Sequence, residues 1–150
     1  MKYFLILFLI IFSGCSYKNA YTYFHFDTQQ KSIASNTQTA IINLSPKLKG
    51  KVDVIYLNNV EKKPTKNERF FISIYLKPQQ DFLFLLNKQK PIKVEKIYRE
   101  NYYANKLYQD TAWNQYFIVT FLPTHSPTMD ISIYTKNNNK KVATLSFLKY

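Results

Sequence analysis

The chain holds few groups able to do chemistry, and most of them stand apart. Among its 150 residues are one thiol, Cys15, two imidazoles, His25 and His125, and nine carboxylates. Neither histidine has an Asp, Glu or His beside it at ligand spacing, so no metal site is expected. Ser126, His125 and Asp130 supply the residue types of a hydrolytic triad. Adjacent Ser and His are poorly placed for proton transfer, however, and no nucleophile elbow surrounds any serine. The carboxylates are scattered from Asp27 to Asp130 without the close pairing that sugar cleavage uses, although such pairs can assemble from distant strands. Gly14 and Gly50 are the only glycines, which excludes a Gly-rich phosphate loop. The expectation is a protein without enzymatic activity, metal or bound cofactor.

Cys15 differs because of what precedes it. Lys2 gives a positive start, residues 3–12 form an unbroken apolar run, and Ser13 and Gly14 place small side chains just before the thiol. The run is too short to cross a bilayer, which takes about 20 residues, and has the length of an export-signal core. Phe12-Ser13-Gly14-Cys15 resembles the lipobox of bacterial lipoprotein precursors, with Phe12 where that family usually has Leu. The resemblance implies cleavage between Gly14 and Cys15, diacylglycerol on the Cys15 sulfur and usually an acyl chain on the new amino group. Residues 1–14 then form a signal peptide, and the mature chain is anchored to a membrane. Ser16 in the second mature position is not the Asp that retains enteric lipoproteins in the inner membrane, so the outer membrane is the favoured site.

With Cys15 lipidated, no disulfide can form, and folding rests on burial and backbone hydrogen bonding. Losing Lys2 with the signal lowers the formal net charge from +12 to +11. In the envelope such a charge meets anionic headgroups or acidic glycans rather than nucleic acid. Lysine spread over a solvated face is the plainer source of the same number. Thirteen Tyr and twelve Phe make the chain strongly aromatic.

Residues 15–38 read as the lipidated N-terminus and a polar tether. Within it 21–27 alternate aromatic and polar residues, as an edge strand or interfacial aromatics would, and 29–38 read as loop. From residue 39 the pattern is strand after strand, at 40–44, 51–57, 69–77, 81–86, 91–97, 116–122, 130–135 and 141–148. The clearest is 69–77, where Phe70, Ile72, Ile74 and Leu76 share one face and Phe71, Ser73 and Tyr75 the other. Residues 116–122 are apolar almost throughout, as in a central strand, with either Phe117 or Ile118 facing inward. Pro and Asn clusters supply the turns, and Asn137-Asn138-Asn139 can replace glycine at the last hairpin. Seven or eight short strands predict an all-β fold, an antiparallel immunoglobulin-like β-sandwich over 39–150, with a small barrel as the alternative.

Residues 97–113 break the alternation. Tyr98 and Tyr102, like Tyr103 and Leu107, are four apart, which predicts a short helix or irregular crossing near 98–112. Tyr98, Arg99, Tyr102, Tyr103, Tyr108 and Trp113 are the residue types that dominate interface hot spots, and they are the candidate partner-binding set. The ordinary explanation is that these rings cap an end of the sandwich. Phe71 and Tyr75 are a second candidate pair, with burial under a neighbouring loop as its ordinary explanation.

In architecture alone, the mature chain resembles the small immunoglobulin-like lipoproteins of Gram-negative envelopes. The expected role is binding of another envelope component, a protein partner above all. The alternative is a surface-displayed adhesin or binder of acidic glycan or lipid through a basic face. A subunit of a secretion apparatus is a minor branch, since the type VI lipoproteins are also small β-sandwiches behind a lipobox.

Overall fold

Alternating apolar residues on strands joined by Pro and Asn turns can bury their inward face only against a second sheet. That is the arrangement found. The structure, a computed structural model, describes residues 27–46, 48–107 and 111–149. The signal peptide, Gly14, Cys15, the aromatic stretch at 21–26 and Tyr108 lie outside the described residues.

Eight strands form the sandwich: β1 (Thr37–Ser45), β2 (Leu48–Tyr56), β3 (Glu68–Leu76), β4 (Phe82–Leu86), β5 (Lys93–Ile97), β6 (Asn114–Phe121), β7 (Thr128–Thr135) and β8 (Lys141–Leu148). One sheet has the order β1-β2-β3-β6-β5 and the other β4-β7-β8, and every pairing is antiparallel. Setting β1 aside, β2-β3-β6-β5 over β4-β7-β8 reproduces the ABED and CFG sheets of an immunoglobulin constant-type domain. β1 adds a strand outside that frame.

The inward faces follow the period-two pattern. Phe70, Ile72, Ile74 and Leu76 of β3 join Val52 and Val54 of β2, Phe117 and Val119 of β6, and Ile131 and Ile133 of β7 in one core. Turn chemistry also follows the sequence. Asn139 takes a positive φ of 53° in the β7–β8 hairpin. A second tight turn has Asn87 and Lys88 at φ 47° and 70°, closed by reciprocal bonds between Leu86 and Gln89. Asn87 also continues the ladder to β7, since its Oδ1 accepts from the Asp130 amide at 2.8 Å.

The reading of 29–38 as loop is corrected: Thr28–Ser35 is an α-helix, α1. Asp27 caps it reciprocally. Its Oδ1 accepts from the Gln30 amide at 2.6 Å, while Gln30 Oε1 accepts from the Asp27 amide at 2.9 Å. A helix this short is marginal alone, and α1 is held by burying Ile33 completely. The predicted helical crossing is also present, as α2 (Tyr102–Lys106), capped by Asn101 whose Oδ1 accepts from the Ala104 amide at 2.9 Å. Both helices lie over the outer face of the larger sheet. There Ile33, Ile55, Leu57, Phe71, Ala104 and Tyr116 form a second core. The molecule therefore has three layers: the small sheet, the large sheet and the helices.

Candidate functional site

The Tyr-rich crossing leaves β5 after Ile97 and rejoins the sheet at the start of β6. Because Ile97 pairs with Tyr116, Tyr98 and Trp113 both stand just past the same end of adjacent strands. Tyr98 is 91% exposed and Trp113 55% exposed. Lys77, just past the end of β3, lays its Nζ 3.1 Å from the centre of the Trp113 ring, a close cation–π contact. Arg99 is exposed, with its guanidinium 3.8 Å from Glu100. Tyr102 is 44% exposed, and its ring meets that of Tyr103 edge-on at 5.3 Å.

Tyr103 belongs to the interior instead. Its ring packs 5.2 Å from Phe71, and its hydroxyl donates to Glu61 Oε1 at 2.7 Å. Glu61 Oε2 accepts from Arg69 at 2.6 Å, so one carboxylate pins α2 to the edge of β3. Burial, then the bond to Glu61 and its charge, push the Tyr103 hydroxyl well above the ordinary tyrosine range. It stays protonated as a donor. Of the second pair, Phe71 is fully buried under the helices, while Tyr75 remains partly open.

The chemistry-bearing residues are engaged locally. The Ser126 hydroxyl donates to the Thr128 carbonyl at 2.6 Å, and Asp130 Oδ1 accepts from the Ser146 hydroxyl at 2.6 Å, while His125 is exposed. His25 lies outside the described residues. Among the described residues, no three His, Cys, Asp or Glu side chains converge as a cation site. Glu68 is the most buried carboxylate among the described residues. Its Oε1 accepts from Lys149 Nζ at 2.6 Å and from the Thr124 amide at 3.1 Å, and its Oε2 from the Tyr56 hydroxyl at 2.6 Å. With both oxygens occupied and no exposure, it ties strands together rather than meeting a substrate.

One surface escaped the sequence reading. A groove of about 300 Å³ opens between β4 and β5, the edge strands of the two sheets, lined by Phe82, Phe84, Pro91 and Val94 with Lys90 and Lys136 at its rim. The opposite side of the sandwich is closed, because β1 packs on β8 and the Lys140 ammonium donates to the Leu44 carbonyl. Ile92 and Val94 stay exposed beside the groove. In the sequence 91–97 reads as a strand with Ile92 and Val94 opposite Lys93 and Glu95, and nothing local says that the facing sheet stops short of them.

No family model matches the chain, and no curated protein or solved structure matches it significantly.

Proposed function

We propose that the chain is a lipid-anchored envelope lipoprotein whose β-sandwich is a non-catalytic module that binds another envelope component, a protein partner first of all. The observation that carries this reading is the open β4–β5 side, where an apolar groove runs between two edge strands. Unpaired edges accept an added strand, and bare apolar surface is costly unless something covers it. The lipobox resemblance at Phe12-Ser13-Gly14-Cys15 supports a location at a membrane for such a module. The exposed residues Tyr98, Arg99, Tyr102 and Trp113 give it a second contact surface.

Photo-crosslinking in the native membrane tests the reading, with the reactive residue at Val94 and, as a control on the far sheet, at Thr144. A discrete protein adduct from Val94 alone supports it. Equal labelling from both positions, or none from Val94, would discard the groove as a docking site. The competing reading, a charge-led binder of acidic glycan or lipid, draws on the lysines at the rim. It predicts that retention on the membrane component falls steeply with salt, whereas apolar docking persists.

A further inference from the structure

The chain joins its folded body beside the exposed aromatics. Asp27, the first described residue, accepts from Lys106 Nζ at 2.6 Å, and the same ammonium lies 5.9 Å from the centre of the Tyr102 ring. Cys15 stands twelve residues before Asp27. Even fully extended, that length of chain spans at most about 40 Å. A lipid on Cys15 therefore keeps the body within about 40 Å of the bilayer, with the tether joining it beside α2.

What this side presents suits a membrane surface. Tyr and Trp settle at the headgroup level, with an apolar ring below and a polar tip in water. Tyr98, Tyr102 and Trp113 are all exposed. Arg99 lies in the same crossing and Lys77 rests on Trp113, which puts cations beside the rings. Among the described carboxylates near these rings, Glu100 sits against Arg99, Asp27 against Lys106, and Glu61 is taken up by Arg69 and Tyr103. Basic groups near an anionic leaflet are attracted to it, and a tether makes even weak docking count by raising the local concentration.

We infer that the end of the molecule carrying Tyr98, Arg99, Tyr102, Trp113 and Lys77 docks onto the anionic bilayer surface in which the Cys15 lipid is embedded. The inference rests on the lipoprotein reading. It turns the β4–β5 groove, rather than these aromatics, into the surface offered to a protein partner.

Trp113 is the only tryptophan of the chain and reports its own surroundings. The full lipidated protein is reconstituted into vesicles of brominated phosphatidylcholine, with or without about one third phosphatidylglycerol. Co-flotation reads the anchor, and quenching of Trp113 by the bromines reads docking. The expected result is flotation with both vesicle types, loss of about half the Trp113 emission on the anionic ones only, and recovery in about 1 M salt, where the Debye length falls to about 3 Å. The triple variant Tyr98→Ser/Tyr102→Ser/Arg99→Glu should float equally but lose the quenching. Lys77 is left in place because its ammonium touches the probe, and near-ultraviolet circular dichroism checks that the variant keeps its fold. Flotation without quenching would overturn the docking while leaving the anchor intact. Failure to float would overturn the anchor and the docking together. Quenching unchanged in the triple variant, or a protein adduct from a crosslinker at Tyr102 in native membranes, would also overturn the docking.

Discussion

Glu68 and Lys149 are bonded at 2.6 Å although 81 positions apart, so the last described residue is fastened to the first position of β3. The carboxylate is fully buried and also receives Tyr56 and Thr124, which makes it the joint of β2, β3, the β6–β7 connection and the tail of β8. Truncation leaves the Tyr56 hydroxyl and the Thr124 amide without their acceptor. Glu68→Ala should cost about 3 kcal/mol, measured by urea denaturation. The acid limb carries a second signature. Burial by itself raises the Glu68 carboxyl, but the Lys149 ammonium, the Tyr56 hydroxyl and the Thr124 amide outweigh it and hold the group below its ordinary value of 4.5. In that interval the unfolded chain binds the proton and the folded chain does not, so stability rises with pH. The contribution is fully present above about pH 5 and is lost as the pH falls through the folded value. Glu68→Gln should flatten this part of the profile while neutral-pH behaviour at other sites stays the same.

Gly50 needs its missing side chain for contact rather than for conformation. It sits in β2 opposite Leu76, with no positive φ, and a Cβ there would lie 2.1 Å from the Tyr75 carbonyl oxygen. Backbone cannot yield to that contact without parting β2 from β3. Gly50→Ala should destabilise the domain by more than about 3 kcal/mol and lower its melting temperature sharply. A neutral substitution would mean that the strands are further apart at this pair.

The strands were legible because their signal is local. In β3 the alternation of Phe70, Ile72, Ile74 and Leu76 with Phe71, Ser73 and Tyr75 needs no partner to be seen, and each pair of neighbours went to opposite faces as read. On the outward face, burial of Phe71 under a neighbouring segment is the ordinary expectation, but the segment that covers it is helical rather than a loop. Phe71 is buried because two helices lie over it, and α1 shows a single fully buried apolar residue, Ile33, in place of a stripe. Its one local mark was the Asp27-x-x-Gln30 capping box, which hydrophobic periodicity does not register. In the crossing, the tyrosines were marked as a group, yet Tyr103 is separated from Tyr102 by a bond to Glu61 that is 42 positions away. The β4–β5 groove was invisible for a related reason: it depends on how far one sheet extends over the other, and no single strand encodes that.

The helix α1 is fastened to the sandwich through Ile33 and should open on its own when that contact is removed. Ile33 is completely buried against the outer sheet face, and α1 has no other fully buried side chain to hold it. Ile33→Ala should cost about 2–4 kcal/mol. Hydrogen exchange at the α1 amides should rise by far more than in β3, because the helix can detach while the sandwich persists. Removing the Asp27 cap with Asp27→Ala is a milder perturbation, and it also breaks the ion pair with Lys106. Uniform exchange across α1 and β3 in both variants would show that the helix and sheets open only together.

Phe117 and Ile118 are adjacent in β6 but face different layers, and their substitutions should separate accordingly. Phe117 is buried in the main core, with its ring 5.2 Å from Phe84 and 6.3 Å from Phe82, directly behind the wall of the β4–β5 groove. Ile118 points the other way and packs at the margin of the second core, half-buried. Phe117→Ala should cost about 3–5 kcal/mol through the cavity left behind, and Ile118→Ala about 1–2 kcal/mol. The larger loss also deepens the groove floor, so binding of a small apolar probe dye should increase in Phe117→Ala and stay unchanged in Ile118→Ala. Equal costs for the two, measured by denaturant unfolding, would mean that β6 is not sandwiched between two unequal cores.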